Sequence, residues 1–94
     1  MDANEDLGFD FDPEKDAVNL RKHGMSLAEA AHMEIEVALP DYRRDYGEPR
    51  WRAFGYINGL ACCMAFTVRN GRVRVISLRR AHAKELKRYV KTRT

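Results

Sequence analysis

Two Asn-Gly pairs in the second half of the chain limit the fold more than any other feature. Asn58-Gly59 and Asn70-Gly71 each lie between runs in which apolar and polar residues alternate. Asn-Gly is strongly preferred in two-residue type I′ hairpin turns, because both turn positions need a positive φ. We therefore expect an antiparallel meander with strands at residues 50–57, 60–69 and 72–79. Two-residue turns also fix the register, so Ile57 should oppose Leu60 and Arg69 should oppose Arg72.

This register divides the meander into two faces, because successive side chains of a strand point to opposite sides. The expected core face carries Trp51, Ala53, Gly55, Ile57, Leu60, Cys62, Met64, Phe66, Val68, Val73, Val75 and Ser77. The opposite face mixes apolar residues with arginine: Arg50, Arg52, Phe54, Tyr56, Ala61, Cys63, Ala65, Thr67, Arg69, Arg72, Arg74, Ile76 and Leu78. Near one end of this second face we expect Arg52, Thr67, Arg69, Arg72 and Arg74 to gather.

Helix signals lie before the meander. Residues 9–12 alternate and predict a short strand, and Asp12-Pro13 is a typical helix start. That helix should end near His23, at Gly24. Ser26 and Glu29 form a capping box, which predicts a second N-terminal helix. Residues 34–39 alternate and fit either a strand or a helix end.

A closing helix is expected after the meander, at about residues 81–91. Leu86, Tyr89 and Val90 share one side at helical spacing, and we expect them to pack against Ile76, Leu78 or Tyr56. The predicted fold class is therefore α+β. Two N-terminal helices would pack on an antiparallel sheet of three to four strands, with a closing C-terminal helix.

The 94 residues are expected to form one domain over residues 9–94, preceded by a loose acidic tail at residues 1–8. No apolar run approaches the ~20 residues of a membrane-spanning helix, and the acidic N-terminus lacks the apolar stretch of a signal peptide. Cys62 and Cys63 are adjacent and can form a disulfide only with strain, so we interpret both as reduced strand residues. These features predict a cytoplasmic protein without membrane contact.

Charge is strongly polarised along the chain. Residues 69–94 contain ten Lys or Arg and one acid, whereas residues 1–16 contain seven acids and one Lys. A clustered positive field attracts polyanions, and nucleic acid is the leading candidate partner.

The sequence shows no motif for a metal or a nucleotide. The three histidines, His23, His32 and His82, have no ligand spacing with cysteine or acid. A glycine-rich phosphate loop and a nucleophile elbow are also absent. We expect neither a metal nor another cofactor.

Arginines with a few proton carriers are sufficient for a ribonuclease that needs no metal. RNA supplies its own nucleophile, the 2′-hydroxyl, so the protein must orient it, stabilise negative charge and move protons. Glu48 and His23 are the candidate proton carriers, with His82 behind them. The predicted catalytic residues are Glu48, His23, Arg69, Arg79 and Arg80. The predicted RNA-binding residues are Arg50, Arg52, Arg72, Arg74, Lys84, Lys87 and Arg88.

Each of these residues also has a structural interpretation. An arginine-rich strand face can be a solvated surface, and His23 before Gly24 suits the negative end of a helix dipole. Glu48 can be a loop salt-bridge partner. Two other functions therefore stay open: a nucleic-acid-binding module without catalysis, and an interaction protein whose basic face meets an acidic partner.

Short motifs in a fixed order resemble the BrnT ribonuclease toxins of bacterial type II toxin–antitoxin modules, over about residues 9–90. They are Phe11-Asp12-Pro13-Glu14-Lys15, Asn19, Lys22-His23-Gly24, Ser26, Asp45-Tyr46-Gly47-Glu48, Arg50, Gly55, Phe66-Thr67, Arg69, Arg74-Val75-Ile76-Ser77-Leu78-Arg79-Arg80-Ala81, Glu85 and Tyr89. The resemblance implies a RelE-like α+β fold and RNA cleavage that arrests growth. It also implies neutralisation by a cognate BrnA-like antitoxin with a DNA-binding domain, so that operator DNA is reached only through the antitoxin.

Overall fold

A computed structural model describes residues 8–92 of the chain. In chain order its elements are β1 (Phe9–Phe11), α1 (Pro13–His23), a 3-10 helix (Leu27–His32), β2 (Glu34–Pro40), β3 (Trp51–Ile57), β4 (Leu60–Arg69), β5 (Arg72–Arg80) and α2 (Ala83–Thr92). The strands form one sheet in the order β1-β5-β4-β3-β2. The tail expected at residues 1–8 lies, apart from Gly8, outside the described residues, and so do residues 93 and 94.

The two predicted hairpins are confirmed. Ile57 pairs with Leu60 and Arg69 pairs with Arg72. Asn58 and Asn70 have φ values of 50° and 53°, and the glycines that follow them also have positive φ. Both positions of each turn are therefore left-handed, which is the type I′ geometry that Asn-Gly favours.

The α+β class is confirmed, but the expectation of an antiparallel sheet of three to four strands is wrong. The sheet has five strands in the described part of the chain and is mixed, because β1 pairs in parallel with β5. Residues 34–39, which fitted either a strand or a helix end, belong to β2, which pairs antiparallel with β3. The direction of the β1–β5 pair is set by contacts between residues 9–11 and 73–75, which no local turn signal encodes.

The second predicted N-terminal helix is wrong as an α-helix. The capping box is present, since Ser26 N donates to Glu29 Oε2 at 3.1 Å, but the element that follows is a six-residue 3-10 helix. Glu29 N donates to Ser26 O and Met33 N donates to Ala30 O, each over three residues. Because β2 begins at Glu34, the segment is short, and 3-10 geometry is common in such short pieces.

A β-bulge in β5 changes the predicted faces. Ala65 pairs with Ser77, but the next residue, Phe66, pairs with Val75, so Ile76 is the extra residue. Beyond the bulge the alternation is reversed. Leu78, expected on the arginine face, is fully buried in the core, and Ser77 lies opposite Ala65 on the other face.

Two apolar clusters cover the two faces of the sheet. The first packs Met25, Leu27 and Ala30, in and just before the 3-10 helix, against the core face of the meander, and Leu60 and Val68 at the strand ends are exposed. The second lies under α2 and consists of Val37, Phe54, Cys63 and Leu86, with Tyr56, Tyr89 and Val90 packed against it. Tyr56 and the apolar residues of α2 thus belong to the same cluster, whereas Leu78 belongs to the first cluster.

Neither α-helix within residues 8–92 is long and apolar enough to cross a membrane.

Candidate functional site

Four of the predicted site residues line one small cleft, which we call the arginine cleft. Its volume is about 120 Å³, and its charged lining residues are Asp12, Lys15, Glu48, Arg50, Arg69 and Arg74. Arg69 ends β4 and Arg74 lies in β5, so the second hairpin brings them together. Glu48 and Arg50 come from the loop between β2 and β3, and Lys15 from the first turn of α1.

Glu48 joins the arginines on its two sides. Its Oε1 accepts a hydrogen bond from Arg69 Nη2 at 2.8 Å, and its Oε2 lies 3.4 Å from Arg50 Nε. The hydrogen bond from Arg69 is the main cause that lowers the pKa of Glu48, and Arg50 adds to it. The carboxylate is therefore ionised at neutral pH, and it holds two guanidinium groups side by side.

The loop that carries Glu48 and Arg50 is anchored at its end. Thr67, which is buried in β4, donates its hydroxyl to Pro49 O at 2.6 Å, and Asp41 N donates to Arg50 O at 2.7 Å. The guanidinium of Arg50 also lies over the ring of Tyr46, 4.4 Å from its centre. These contacts fix the position of Arg50 at the border of the cleft.

Acidic residues flank the cleft on the side of β1 and α1. Arg74 Nη1 lies 3.4 Å from Asp10 Oδ1, and Asp12 caps α1 by accepting from Glu14 N. Lys15 follows in the first helical turn and adds a cation to the lining. Lys15 is not among the site residues predicted from the sequence. The one feature that sets it apart there is that it is the single Lys or Arg among seven acids in residues 1–16.

Arg79 and Arg80, both predicted to be catalytic, lie at the other end of β5 from Arg74. At about 3.3 Å per strand residue, this separation is on the order of 15 Å. Arg79 makes a two-pronged ion pair with Glu85, with both N···O distances at 3.0 Å. The pair raises the pKa of Arg79 and lowers the pKa of Glu85.

His23, the other predicted proton carrier, is the last residue of α1. It lies eight residues after Lys15, or about 12 Å along the helix axis. His82 precedes α2, and its carbonyl oxygen accepts from Leu86 N. The part of the chain that the structure describes brings no histidine into the arginine cleft.

The remaining predicted RNA-binding residues occupy other places. Arg52 lies over the rings of Tyr89 and Phe54, at 5.1 and 5.8 Å from their centres. Arg72 donates to Phe9 O at 2.8 Å and so ties β5 to β1. The bases of α2 line a separate shallow depression of about 350 Å³: Lys84, Lys87, Arg88 and Lys91.

No group of three or more His, Cys, Asp or Glu side chains within residues 8–92 is placed to hold a metal ion. Cys62 and Cys63 are free and buried, and burial raises the pKa of both thiols. They are therefore neutral thiols at physiological pH, as expected for reduced strand residues.

The arrangement in the cleft suits a phosphodiester. Several cations surround a small concave space, and guanidinium groups can pair two phosphate oxygens at once. The family model that matches the chain, over residues 11–85, describes the ribonuclease toxin BrnT of type II toxin–antitoxin systems. This chain belongs to the BrnT family. The resemblance drawn from the short motifs is thereby confirmed.

Membership in the BrnT family gives the chain its general class. The family name indicates a ribonuclease that acts as a toxin, with an RNA substrate and an antitoxin partner. Comparison with curated proteins and with solved structures finds no match. Because the matched region contains the arginine cleft as well as Arg79 and Arg80, the match does not choose between the two ends of β5.

Proposed function

We propose that the chain is a metal-independent endoribonuclease toxin that cuts RNA in the arginine cleft through attack by the 2′-hydroxyl. The observation that carries the proposal is the placement of Glu48. It is an ionised carboxylate between Arg50 and Arg69, in a cleft that also contains Lys15 and Arg74. A proton acceptor and a set of phosphate ligands thus lie within one small space.

The cations of the cleft would stabilise the reacting phosphate. In the transition state, negative charge grows on the non-bridging oxygens. Fixed donors aimed at that charge are often the largest single contribution to catalysis. Arg69 and Arg74 lie on a rigid hairpin, and the Thr67 hydroxyl anchors the loop at Pro49, just before Arg50. Little reorganisation would therefore be needed when RNA binds.

Glu48 would take the proton from the 2′-hydroxyl. In the free protein its pKa is lowered by the hydrogen bonds to the arginines. A bound phosphate competes for the same guanidinium groups, so those bonds weaken and the pKa of Glu48 rises toward that of a better base. As the O2′–P bond forms and the P–O5′ bond breaks, Lys15 can give a proton to the leaving 5′-oxygen. The products are a 2′,3′-cyclic phosphate and a 5′-hydroxyl.

His23, Arg79 and Arg80 remain predicted site residues without a place in this cleft. Their positions, at the far ends of α1 and β5, suit contacts with RNA beyond the cleaved bond. Arg52 and Arg72 do not line the cleft either, and their guanidinium groups contact aromatic rings and a backbone carbonyl.

We further propose that a cognate BrnA-like antitoxin neutralises the toxin in the cytoplasm, and that operator DNA is reached only through that antitoxin. The basic side of α2, with Lys84, Lys87 and Arg88, would steer RNA or receive the antitoxin. This surface also supports the second candidate function, a basic module that binds nucleic acid or the antitoxin without catalysis.

Incubation of the purified chain with a long RNA, in excess chelator and in parallel with Mg²⁺, tests the proposal. We expect cleavage under both conditions, and fragments that end in a 2′,3′-cyclic phosphate and a 5′-hydroxyl. Intact RNA with a retained gel shift would contradict catalysis and favour the binding module. Cleavage that depends on Mg²⁺ would contradict metal independence.

A further inference from the structure

A second, larger depression adjoins the arginine cleft. Its volume is about 570 Å³, within the usual range of small-molecule sites, and it lies along the loop between β2 and β3. The lining residues with a ring are Pro40, Tyr42, Tyr46, Pro49 and Trp51. Glu48 and Arg50 line both this depression and the arginine cleft, so these two residues form the border between the two spaces.

Among the residues that line this depression, Tyr42 is unusual in its exposure to solvent. Its exposed fraction is 87%, the largest among the exposed apolar side chains of the described residues. Among residues 8–92 its side chain makes no hydrogen bond, ion pair or ring contact. Tyr46 and Trp51 differ, because Tyr46 carries Arg50 on its ring and Trp51 packs against the first apolar cluster. Tyr42 therefore offers an aromatic face that the fold itself does not use.

The loop that presents Tyr42 is held by a buried carboxylate. Asp41 is 6% exposed, accepts two hydrogen bonds from the guanidinium of Arg43 at 2.9 Å each, and accepts a third from the Tyr46 hydroxyl at 3.0 Å. The arginine holds the pKa of Asp41 well below its usual range. The backbone on both sides of Tyr42 is thus anchored before a ligand arrives, so that only the Tyr42 side chain has to be ordered on binding.

We propose that this depression is a nucleobase subsite, in which the base next to the phosphate held in the arginine cleft stacks on Tyr42. The inference rests on the proposed function and deepens it, since it assigns the substrate as single-stranded RNA with an unpaired base at this position. An aromatic face beside a groove of arginines is the general arrangement for binding unpaired strands. In a nucleotide chain a base lies one sugar away from its phosphate, which matches two spaces that share Arg50 and Glu48 as their border.

Binding of an oligonucleotide that cannot be cut tests the subsite. The probe is a short 2′-fluoro RNA strand, compared with the same backbone carrying abasic sugars. We expect Tyr42→Ala to weaken binding of the base-bearing strand by about 5- to 150-fold, the range of one lost base stack. The same variant should bind the abasic strand as the unaltered chain does. Tyr42→Phe keeps the ring and should bind both strands normally.

Arg74→Ala separates the subsite from the proposed function, because it removes a phosphate ligand and should weaken both strands. If Arg74→Ala weakens binding of both oligonucleotides while Tyr42→Ala alters binding of neither, the nucleobase subsite is contradicted and the arginine cleft remains supported as the phosphate site. Equal losses of both strands in Tyr42→Ala would also overturn the subsite. If the unaltered chain binds neither strand, the subsite and the proposed function both fall. Unchanged circular dichroism of each variant confirms that folding is not the cause.

Discussion

At the scale of single residues, Glu48 is where the structural and the catalytic interpretations meet. Its contacts at 2.8 Å with Arg69 and 3.4 Å with Arg50 would serve a loop anchor as well as a general base. The two roles differ in what a neutral substitute should do. An anchor stabilises the bound RNA indirectly, whereas a base acts only on the rate of the chemical step.

Glu48→Gln keeps the shape of the side chain and removes its negative charge. If Glu48 is the base, we expect single-turnover cleavage to slow by about 100- to 10,000-fold. RNA affinity should stay the same or increase, because a carboxylate no longer competes with phosphate for Arg50 and Arg69. Gel shifts and cleavage time courses on the same RNA measure both effects. Weaker binding with an unchanged rate would assign Glu48 to the anchor role.

Asp41 offers a prediction on stability and pH. Its pKa in the folded protein is far below the value of about 3.9 in an unfolded chain. The ionised Asp41 therefore contributes fully to the free energy of unfolding above about pH 3.9, and this contribution is lost as the pH falls further. We expect Asp41→Asn to lower the free energy of unfolding by about 1–2 kcal/mol at pH 7, since hydrogen bonds to a charged acceptor are lost.

Urea unfolding of both proteins at pH 7 and below pH 4 checks this prediction. The difference between them should shrink at the lower pH, because the unfolded chain then gains a proton at Asp41 that the variant lacks. A difference that stays constant with pH would show that the charge of Asp41 does not carry the effect.

At the scale of elements, local turn chemistry predicted more than the contacts between distant strands. Asn58-Gly59 and Asn70-Gly71 were sufficient for three strands and for their register next to each turn, because a two-residue turn fixes which residues pair beside it. The bulge at Ile76 could not be predicted. It interrupts the pairing of β5 with β4 between two runs that alternate normally, and it places Leu78 on the buried core face.

The residues of the arginine cleft that depend on local turn chemistry could be predicted, and those that depend on distant strand pairing could not. Arg69 and Arg74 follow from the hairpin, and Glu48 and Arg50 from the loop that leads into it. Lys15 joins them because β1 pairs in parallel with β5 and places the start of α1 beside Arg74. That pairing joins residues more than sixty positions apart in the chain, which a pattern of alternation cannot reveal.

The close approach of β2 and β3 at Gly55 gives an element-scale prediction. A Cβ at Gly55 would collide with the backbone carbonyl of Glu34, which cannot move as a flexible side chain can. We expect Gly55→Ala to lower the free energy of unfolding by about 3 kcal/mol, the cost of forced overpacking. Gly71→Ala is the matched control, because it meets only a positive φ of 73° in open space and should cost about 1 kcal/mol.

Chemical denaturation of both glycine variants measures these costs. An effect of Gly55→Ala equal to or smaller than that of Gly71→Ala would mean that β2 and β3 can separate locally at little cost.

At the scale of the whole molecule, the positive charge has two distinct locations. In the arginine cleft the guanidinium groups form ion pairs with carboxylates: Arg50 and Arg69 with Glu48, and Arg74 with Asp10. The bases of α2 instead line an open depression on the outer side of the helix. Positive charge at either place favours a polyanion, but of the two surfaces it is the cleft that has the fixed geometry required for chemistry on a phosphate.

Salt dependence distinguishes contacts in the cleft from general attraction. For a short single-stranded oligonucleotide, each phosphate neutralised adds about −0.7 to the slope of log affinity against log salt. We expect Arg74→Ala to make this slope less steep by about 0.7. Arg21→Ala removes an equal charge from the exposed side of α1 and should leave the slope unchanged. Equal changes in both variants would mean that only the net charge matters.

The most direct test of the arginine cleft as the catalytic centre is single-turnover RNA cleavage, in excess chelator, by Arg69→Ala and Arg80→Ala. These two arginines lie near opposite ends of the same antiparallel strand pair, and each lies on the surface. We expect Arg69→Ala to lose about 100- to 1,000-fold in rate and Arg80→Ala less than about tenfold, both with unchanged thermal stability. A large loss of cleavage rate in Arg80→Ala, with a near-normal rate in Arg69→Ala, would contradict catalysis in the arginine cleft. It would instead assign the catalytic centre to the far end of β5.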